Sequence, residues 1–441
     1  MRDNKIDRLS ALPNELLDDI FRRVERPRPL IGTLNKRLLP FLLRNFYRKV
    51  RIGKWHELEL LCQVTEKKPE LATFIESLDL FLFMDSFDPI ADSKASDSES
   101  ERYEENPHLE LKGQVVAFFH RLTQLKLLTL SCTSWLARLP MEISDSTKFP
   151  FSSTLTKLII KGTFDEGGRQ FERPDIHTLL LYPRLAGITL DLIIRGDYLE
   201  DDKTEFEQEP SALLPHLTQI DINAPLSKVP SLGPLINSAP SLRSLFLTDY
   251  NPDSTLLRLL GRVRTPSTLE HLILGTEHEP FKDSVPTDLL QPLESFTNLQ
   301  DIEVGFPPIH GLSRALSQLP LENISWSSYE GITTDHLRNA LVGPYQVKTL
   351  KSLEVYTVWS EGTGESLSGV DWREDIDPED YGWELPLWRR GFSREGFEEV
   401  LELAEQKGVS VDGDALYALE DEDAWERELE AFNARRPVDR T

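Results

Sequence analysis

Apolar residues fall in a step of the form Leu-x-x-Leu-x-Leu, with Ile, Val or Trp as substitutes, that returns ten times along the chain. It stands at Ile75/Leu78/Leu80, Leu125/Leu128/Leu130, Leu155/Leu158/Ile160, Leu185/Ile188/Leu190 and Leu217/Ile220/Ile222. It continues at Leu242/Leu245/Leu247, Leu269/Leu272/Leu274, Leu299/Ile302/Val304, Leu321/Ile324/Trp326 and Leu350/Leu353/Val355. From Leu130 onward the last positions of successive steps lie 22 to 32 residues apart. Within a step, paired apolar positions alternate with outward ones, the period of a strand with one buried face. The segments between steps carry helical spacing, as at 115–119 and Ile176–Leu181. A unit of this size cannot bury its apolar face alone, so neighbours must stack into one continuous core. The predicted fold is α/β: an irregular solenoid of strands and helical returns over residues 53–390.

A different pattern precedes the ladder. Leu12, Leu16, Leu17, Ile20 and Phe21 form one apolar helical stripe. Pro13 suits a first turn, and Glu15 favours the positive end of the helix dipole. Pro27 and Pro29 force a turn, and two further apolar runs follow, through Leu30, Ile31, Leu34, Leu38 and Leu39, then Phe41, Leu42, Leu43, Phe46 and Tyr47. These predict a three-helix head over residues 1–52, with 50–52 as a first strand joining it to the array. At the far end, residues 391–441 read as a cap. A helix through Phe397, Val400, Leu401 and Ala404 stops near Gly408, a short strand follows at 409–411, and a charged amphipathic helix covers 414–433.

Three segments interrupt the rhythm. Residues 85–108 are acidic and Ser-rich, a composition that predicts disorder, and Ser96 and Ser98 each have an acidic residue three places on. Residues 197–209 form a shorter acidic loop. Residues 360–390 add Trp372, Tyr381, Trp383 and Trp388 to a Gly- and acid-rich stretch, either a binding loop or one pinned to the last repeats.

Charge adds an asymmetry to this picture. The chain of 441 residues carries a net charge of -25, yet residues 1–56 hold +8 and the rest -33. That balance argues against nucleic acid, whose phosphates demand clustered Lys and Arg, and a basic head suits an acidic partner. Two cysteines, Cys62 and Cys132, offer neither a zinc spacing nor a disulfide framework. Neither a signal segment nor a membrane span is expected, which points to the cytoplasm, the nucleus or both.

The head resembles the F-box family. Leu12, Pro13, Glu15, Leu16, Leu17, Ile20 and Phe21 match its Leu-Pro-x-Glu-Leu-Leu-x-x-Ile-Phe pattern, and Lys36-Arg37-Leu38 matches its basic pair before a bulky apolar residue. The loop between them is about one residue short, and Phe46-Tyr47 stands where a Trp is common. The ladder is similar to leucine-rich repeats, which implies a parallel sheet on the concave face and helices on the convex face. The Asn or Cys of the strict consensus is missing, and Thr133, Thr163, Pro225 and Tyr250 stand there instead. The pair resembles the fungal type of F-box/leucine-rich-repeat protein. That resemblance implies a substrate receptor of a cullin-based (SCF-type) ubiquitin ligase. It assigns contact with a Skp-type adaptor to Leu12, Pro13, Leu16, Leu17, Ile20, Phe21, Lys36 and Arg37. The alternative is a repeat scaffold for protein interaction whose head serves only as a cap.

Outward strand positions supply the candidate substrate surface: Asp221, Asp301, Glu303, Glu354 and Tyr356, with Trp359 just beyond. Their acidic trend suits a basic or Arg-bearing protein, against the plainer reading of a solvated sheet face. No phosphate loop, nucleophile elbow or His/Cys cluster stands out, and Asp375, Asp377, Glu379 and Asp380 lack the glycine and final Glu of a calcium loop. A non-catalytic adaptor with no cofactor is the expectation.

Overall fold

A computed structural model of the chain describes residues 38–82, 109–132, 149–164, 176–194, 212–226, 231–249, 255–276, 287–305, 311–327, 332–356 and 393–413, with Leu17 and a few isolated positions. The chain divides into two compact units, Met1–Asp202 with Pro210–Leu217, and Lys203–Glu209 with Thr218–Thr441.

In the first unit α1 (Leu39–Arg48) runs straight into β1 (Lys49–Ile52). Then come α2 (Trp55–Lys67), β2 (Ser77–Leu82), α3 (Leu109–Phe119), β3 (Leu127–Cys132), β4 (Lys157–Phe164) and β5 (Gly187–Ile194). The five strands pair in parallel and in chain order. Their inward residues stack in register as Val50–Leu78–Leu128–Leu158–Ile188 and Ile52–Leu80–Leu130–Ile160–Leu190. The second unit holds β6 (Gln219–Asn223), α4 (Leu232–Asn237), β7 (Ser244–Asp249), α5 (Thr255–Leu260), β8 (His271–Thr276) and β9 (Asp301–Gly305). It ends with α6 (Leu312–Leu316), β10 (Asn323–Trp326), α7 (Thr334–Leu341), β11 (Ser352–Val355), α8 (Arg394–Lys407) and β12 (Ser410–Asp412). Its seven strands are also parallel and sequential, with Ile220–Leu245–Leu272–Ile302–Ile324–Leu353–Val411 as one inner column. The ten steps predicted ten strands; β1 and β12 close the two ends.

The return segments are shorter than their helical spacing suggests. α4 and α5 have 6 residues and α6 has 5, and other returns are 3₁₀ turns at Pro69–Phe74, Pro150–Ser153, Ile176–Leu181, Pro266–Thr268 and Thr287–Ser295. Proline explains much of this. Pro69, Pro150 and Pro266 open their turns, Pro292 sits inside the longest, and proline supplies no N–H to extend a helix. Where the return is a full helix, α2 buries Leu58, Leu61, Cys62 and Thr65 at three- to four-residue spacing. Burial pushes the Cys62 thiol up to about 12, against a smaller pull from Arg121, so it behaves as a packing residue.

Neighbouring repeats are stitched along the N-terminal edge of the strands. The carbonyl just before one strand accepts two successive N–H groups of the next repeat, as when Glu76 accepts from Lys126 at 2.8 Å and Leu127 at 3.1 Å. The same fork recurs at Lys126, Thr156, Thr218, Arg243, Glu270, Gln300 and Glu322. The Thr before the first leucine of a step adds a side-chain bond to the previous repeat: Thr154 Oγ1 to Leu125 O (2.8 Å), Thr268 Oγ1 to Leu242 O (2.7 Å) and Thr349 Oγ1 to Leu321 O (2.6 Å). This hydroxyl ladder satisfies backbone carbonyls at the opposite strand end from the missing consensus Asn. Its signal was present in the sequence as the repeated Thr-Leu pairs 154–155, 268–269 and 349–350. Charged side chains reinforce the edge, pairing Arg48 and Lys126 with Glu76, Arg243 with Glu270, and Lys351 with Glu322. Such exposed pairs contribute only about 0.2–1 kcal/mol each.

Candidate docking faces

The residues assigned to adaptor contact fall outside the described residues, except Leu17. Leu17 is helical and fully buried against Leu38 and Leu42, with half-buried Phe41 beside them. It therefore packs the head itself. Leu38 caps α1 and Leu39 opens it, so the end of the second apolar run shares one helix with the third; Leu30, Ile31 and Leu34 lie outside the described residues. On the same helix Phe46 is 51% exposed and meets Tyr47 edge to face at 5.3 Å.

In the second unit the outward strand positions form two rows. One runs Gln219–Ser244–His271–Asp301–Asn323–Ser352–Ser410; the other runs Asp221–Phe246–Ile273–Glu303–Ser325–Glu354–Asp412. Parallel, unshifted pairing places these side chains on one sheet face, as the alternation of the steps predicted. The sequence reading missed Phe246 and Ile273, which put two apolar side chains in the same row as Glu303. Their signal was their place between the paired leucines. It also missed Asp412, because the last strand has too few residues to show a step.

Glu303 is the least solvated of the acidic candidates. Ser327 Oγ donates to its carboxylate at 2.9 Å. Burial raises its pKa above the ordinary 4.5, the Ser327 bond opposes this less strongly, and the charge of Glu354 adds to the rise. One strand, β10, lies between Glu303 and Glu354, so two interstrand spacings put them roughly 10 Å apart. Asp301 differs, since it pairs with His271 and accepts from Asn323 Nδ2. Tyr356 donates its backbone N–H to Trp326 O at 2.7 Å, so its position is fixed by the β10–β11 ladder. Trp359, the 360–390 loop and the charged helix of 414–433 lie outside the described residues, apart from Leu416.

An ionised carboxylate with a raised folded-state pKa costs stability above that pKa. The cost disappears once the pH falls below the ordinary value, where folded and unfolded forms are both protonated. Glu303→Gln keeps an acceptor for Ser327 and removes the charge. It is expected to raise the melting temperature near neutral pH, with the gain shrinking to nothing as the pH falls through the carboxylate range. Thermal melts of both proteins across that range would check this; a gain that grows toward low pH contradicts it.

Among the described residues no helix is long and apolar enough to cross a membrane, and no group of three or more His, Cys, Asp and Glu could hold a metal ion. The fold and these faces define an α/β protein of parallel-sheet repeats. Comparison with protein-family models and with curated proteins found no match.

Proposed function

We propose that this chain is a substrate receptor of a cullin-based ubiquitin ligase, with an F-box-like head that holds a Skp-type adaptor and leucine-rich repeats that hold a protein substrate. The observation that supports it most is the continuity of α1 with β1. A helix that belongs to the head also starts the sheet, so an adaptor held at the head would be carried on the same rigid element as the first repeat. The F-box-like residues and the exposed Phe46 on α1 fit such a contact. The chain itself does no chemistry; it raises the effective concentration of substrate near a ubiquitin-charged enzyme. On the substrate side, Glu303, Glu354 and Asp221 suit a basic partner. An Arg or Lys from that partner would offset the unfavourable ionisation of Glu303.

Full burial of Leu17 favours one rival, in which the head is only a cap and the repeats are a scaffold. A pull-down of a Skp-type adaptor with the full chain separates the two. Leu12→Ala/Pro13→Ala is the variant to run beside it, because changing Leu17 would unfold the head. Capture by wild type, lost in a variant whose circular dichroism is unchanged, supports the receptor. A well-folded wild type that captures no adaptor leaves the scaffold.

A further inference from the structure

The exposed sheet face of the first unit has the opposite charge character. Its outward residues run Lys49–Ser77–Leu127–Lys157–Gly187 and Arg51–Asp79–Thr129–Ile159–Thr189, followed by Phe81–Ser131–Lys161–Asp191. Just before the strands lie Arg48 and Lys126, which share the single carboxylate of Glu76 at 3.2 and 3.1 Å. Burial works to raise the Glu76 pKa, but the Lys126 hydrogen bond and the Arg48 charge outweigh it and hold the carboxyl low. That carboxylate is thus committed to two cations at once. Among the described residues Lys49 and Lys157 have no ion-pair partner, and both are exposed. Arg48, Lys49, Lys126 and Lys157 therefore form a strip of four cations across β1–β4, with one carboxylate among them. Three interstrand spacings make it roughly 14 Å wide.

The face beside the strip is not simply solvated. Half-buried Leu127 sits in it between Ser77 and Lys157 with half-buried Ile159 diagonal to it, and half-buried Phe81 lies two rows further along the strands with Arg51 over its ring at 4.4 Å. Ser131 is 1% exposed, and its hydroxyl makes no hydrogen bond. The other carboxylates of the face are each near a cation, Asp79 at 3.8 Å from Arg51 and Asp191 at 3.8 Å from Lys161. Burial disfavours the ionised form of Asp79, with Arg51 opposing it less strongly. What remains uncompensated on this face is positive charge next to apolar surface.

We propose that the first unit's sheet face is a docking surface for an acidic, amphipathic segment of another protein, whose carboxylates meet Lys49 and Lys157 while an apolar side chain covers Leu127. In an extended segment, about three or four residues span the strip. A protein segment fits better than a nucleic acid. Four cations beside leucine and isoleucine match acid groups with intervening apolar side chains, and the chain's net charge of -25 opposes a long polyanion. The inference is independent of adaptor binding and of the acidic face in the second unit.

The test is fluorescence anisotropy on the full chain with three labelled probes: a short Glu/Leu peptide, its Lys/Leu counterpart, and a single-stranded oligonucleotide of matching length. The Glu/Leu peptide is expected to bind, more weakly as salt is added. Lys49→Glu/Lys157→Glu, at two exposed positions outside the core, should weaken it roughly tenfold or more, and Lys49→Gln/Lys157→Gln should weaken it less. Circular dichroism of each variant establishes that the fold is kept. The proposal is overturned if the Glu/Leu peptide does not bind, if the folded charge-reversed variant binds it as wild type does, or if the oligonucleotide binds more tightly than the peptide. Self-association of the chain that the charge reversal abolishes would also overturn it, since the face would then serve a second copy.

Discussion

Phe151→Ala is expected to destabilise the first unit by about 3–5 kcal/mol, the scale of a fully buried phenylalanine removed from a core. Phe151 sits in the Pro150–Ser153 turn, unexposed, stacked on Phe149 at 5.2 Å and edge-on to Phe119 at 6.1 Å. Tyr182 lies beyond it at 6.4 Å, donating its hydroxyl to Pro140 O at 3.2 Å, and burial pushes its phenol well above the usual range. These rings come from the returns that precede β3, β4 and β5. One truncation therefore loosens the packing of several repeats at once. The comparison of magnitudes decides which interactions hold the array. The edge ion pairs are worth about 0.2–1 kcal/mol each, so no single one rivals this ring. For a unit of this size the loss corresponds to a fall of roughly 6–20 °C in melting temperature. Calorimetry on the full chain would measure it, with Lys126→Ala as the contrast. A shift for Phe151→Ala no larger than that of Lys126→Ala would mean that the ring cluster is not the unit's structural centre.

The second large effect is expected at Gly413→Ala. Gly413 follows β12 with φ at +113°, a conformation that L side chains rarely adopt. A Cβ there would lie 2.2 Å from Val355 O and 2.7 Å from Val355 C. Those atoms belong to the backbone of β11, so no side-chain rotation can relieve the overlap. Backbone strain of about 1–3 kcal/mol adds to it, and together they exceed what three register pairs between β11 and β12 can hold. The outcome should be local. β12 separates, β11 becomes an exposed edge, and the row that carries Glu354 loses its neighbour Asp412. Hydrogen exchange should show the Ser410 amide, now bonded to Lys351 O at 2.8 Å, losing protection while β6–β8 keep theirs. Unchanged protection at Ser410 would show that the strand accommodates a side chain there.

Much of this was legible in the residues. The ten steps located the strands, their alternation chose the faces, and Val50, Ile52 and Val411 identified the closing strands because strand period persists even in short runs. Gly408, at φ +69°, ends α8 where the sequence placed the stop. The lengths of the returns were less legible, because apolar spacing over five or six residues is the same for a 3₁₀ turn as for a helix. The hydroxyl ladder was written in the Thr-Leu pairs, but a threonine before a leucine has no partner until the next repeat is laid beside it.

The sequence by itself determined the period, the inward and outward sets and the acidic bias, because each follows from local patterning and charge. Tertiary structure decided which outward residues share a row, since register depends on how whole repeats stack. It also decided that Leu17 is spent on packing, that Glu303 is desolvated beside Ser327 while Asp301 is matched by His271, and that Arg48 and Lys126 share the carboxylate of Glu76. Burial and pairing are properties of neighbours, and here the paired neighbours lie 24 to 50 residues apart along the chain.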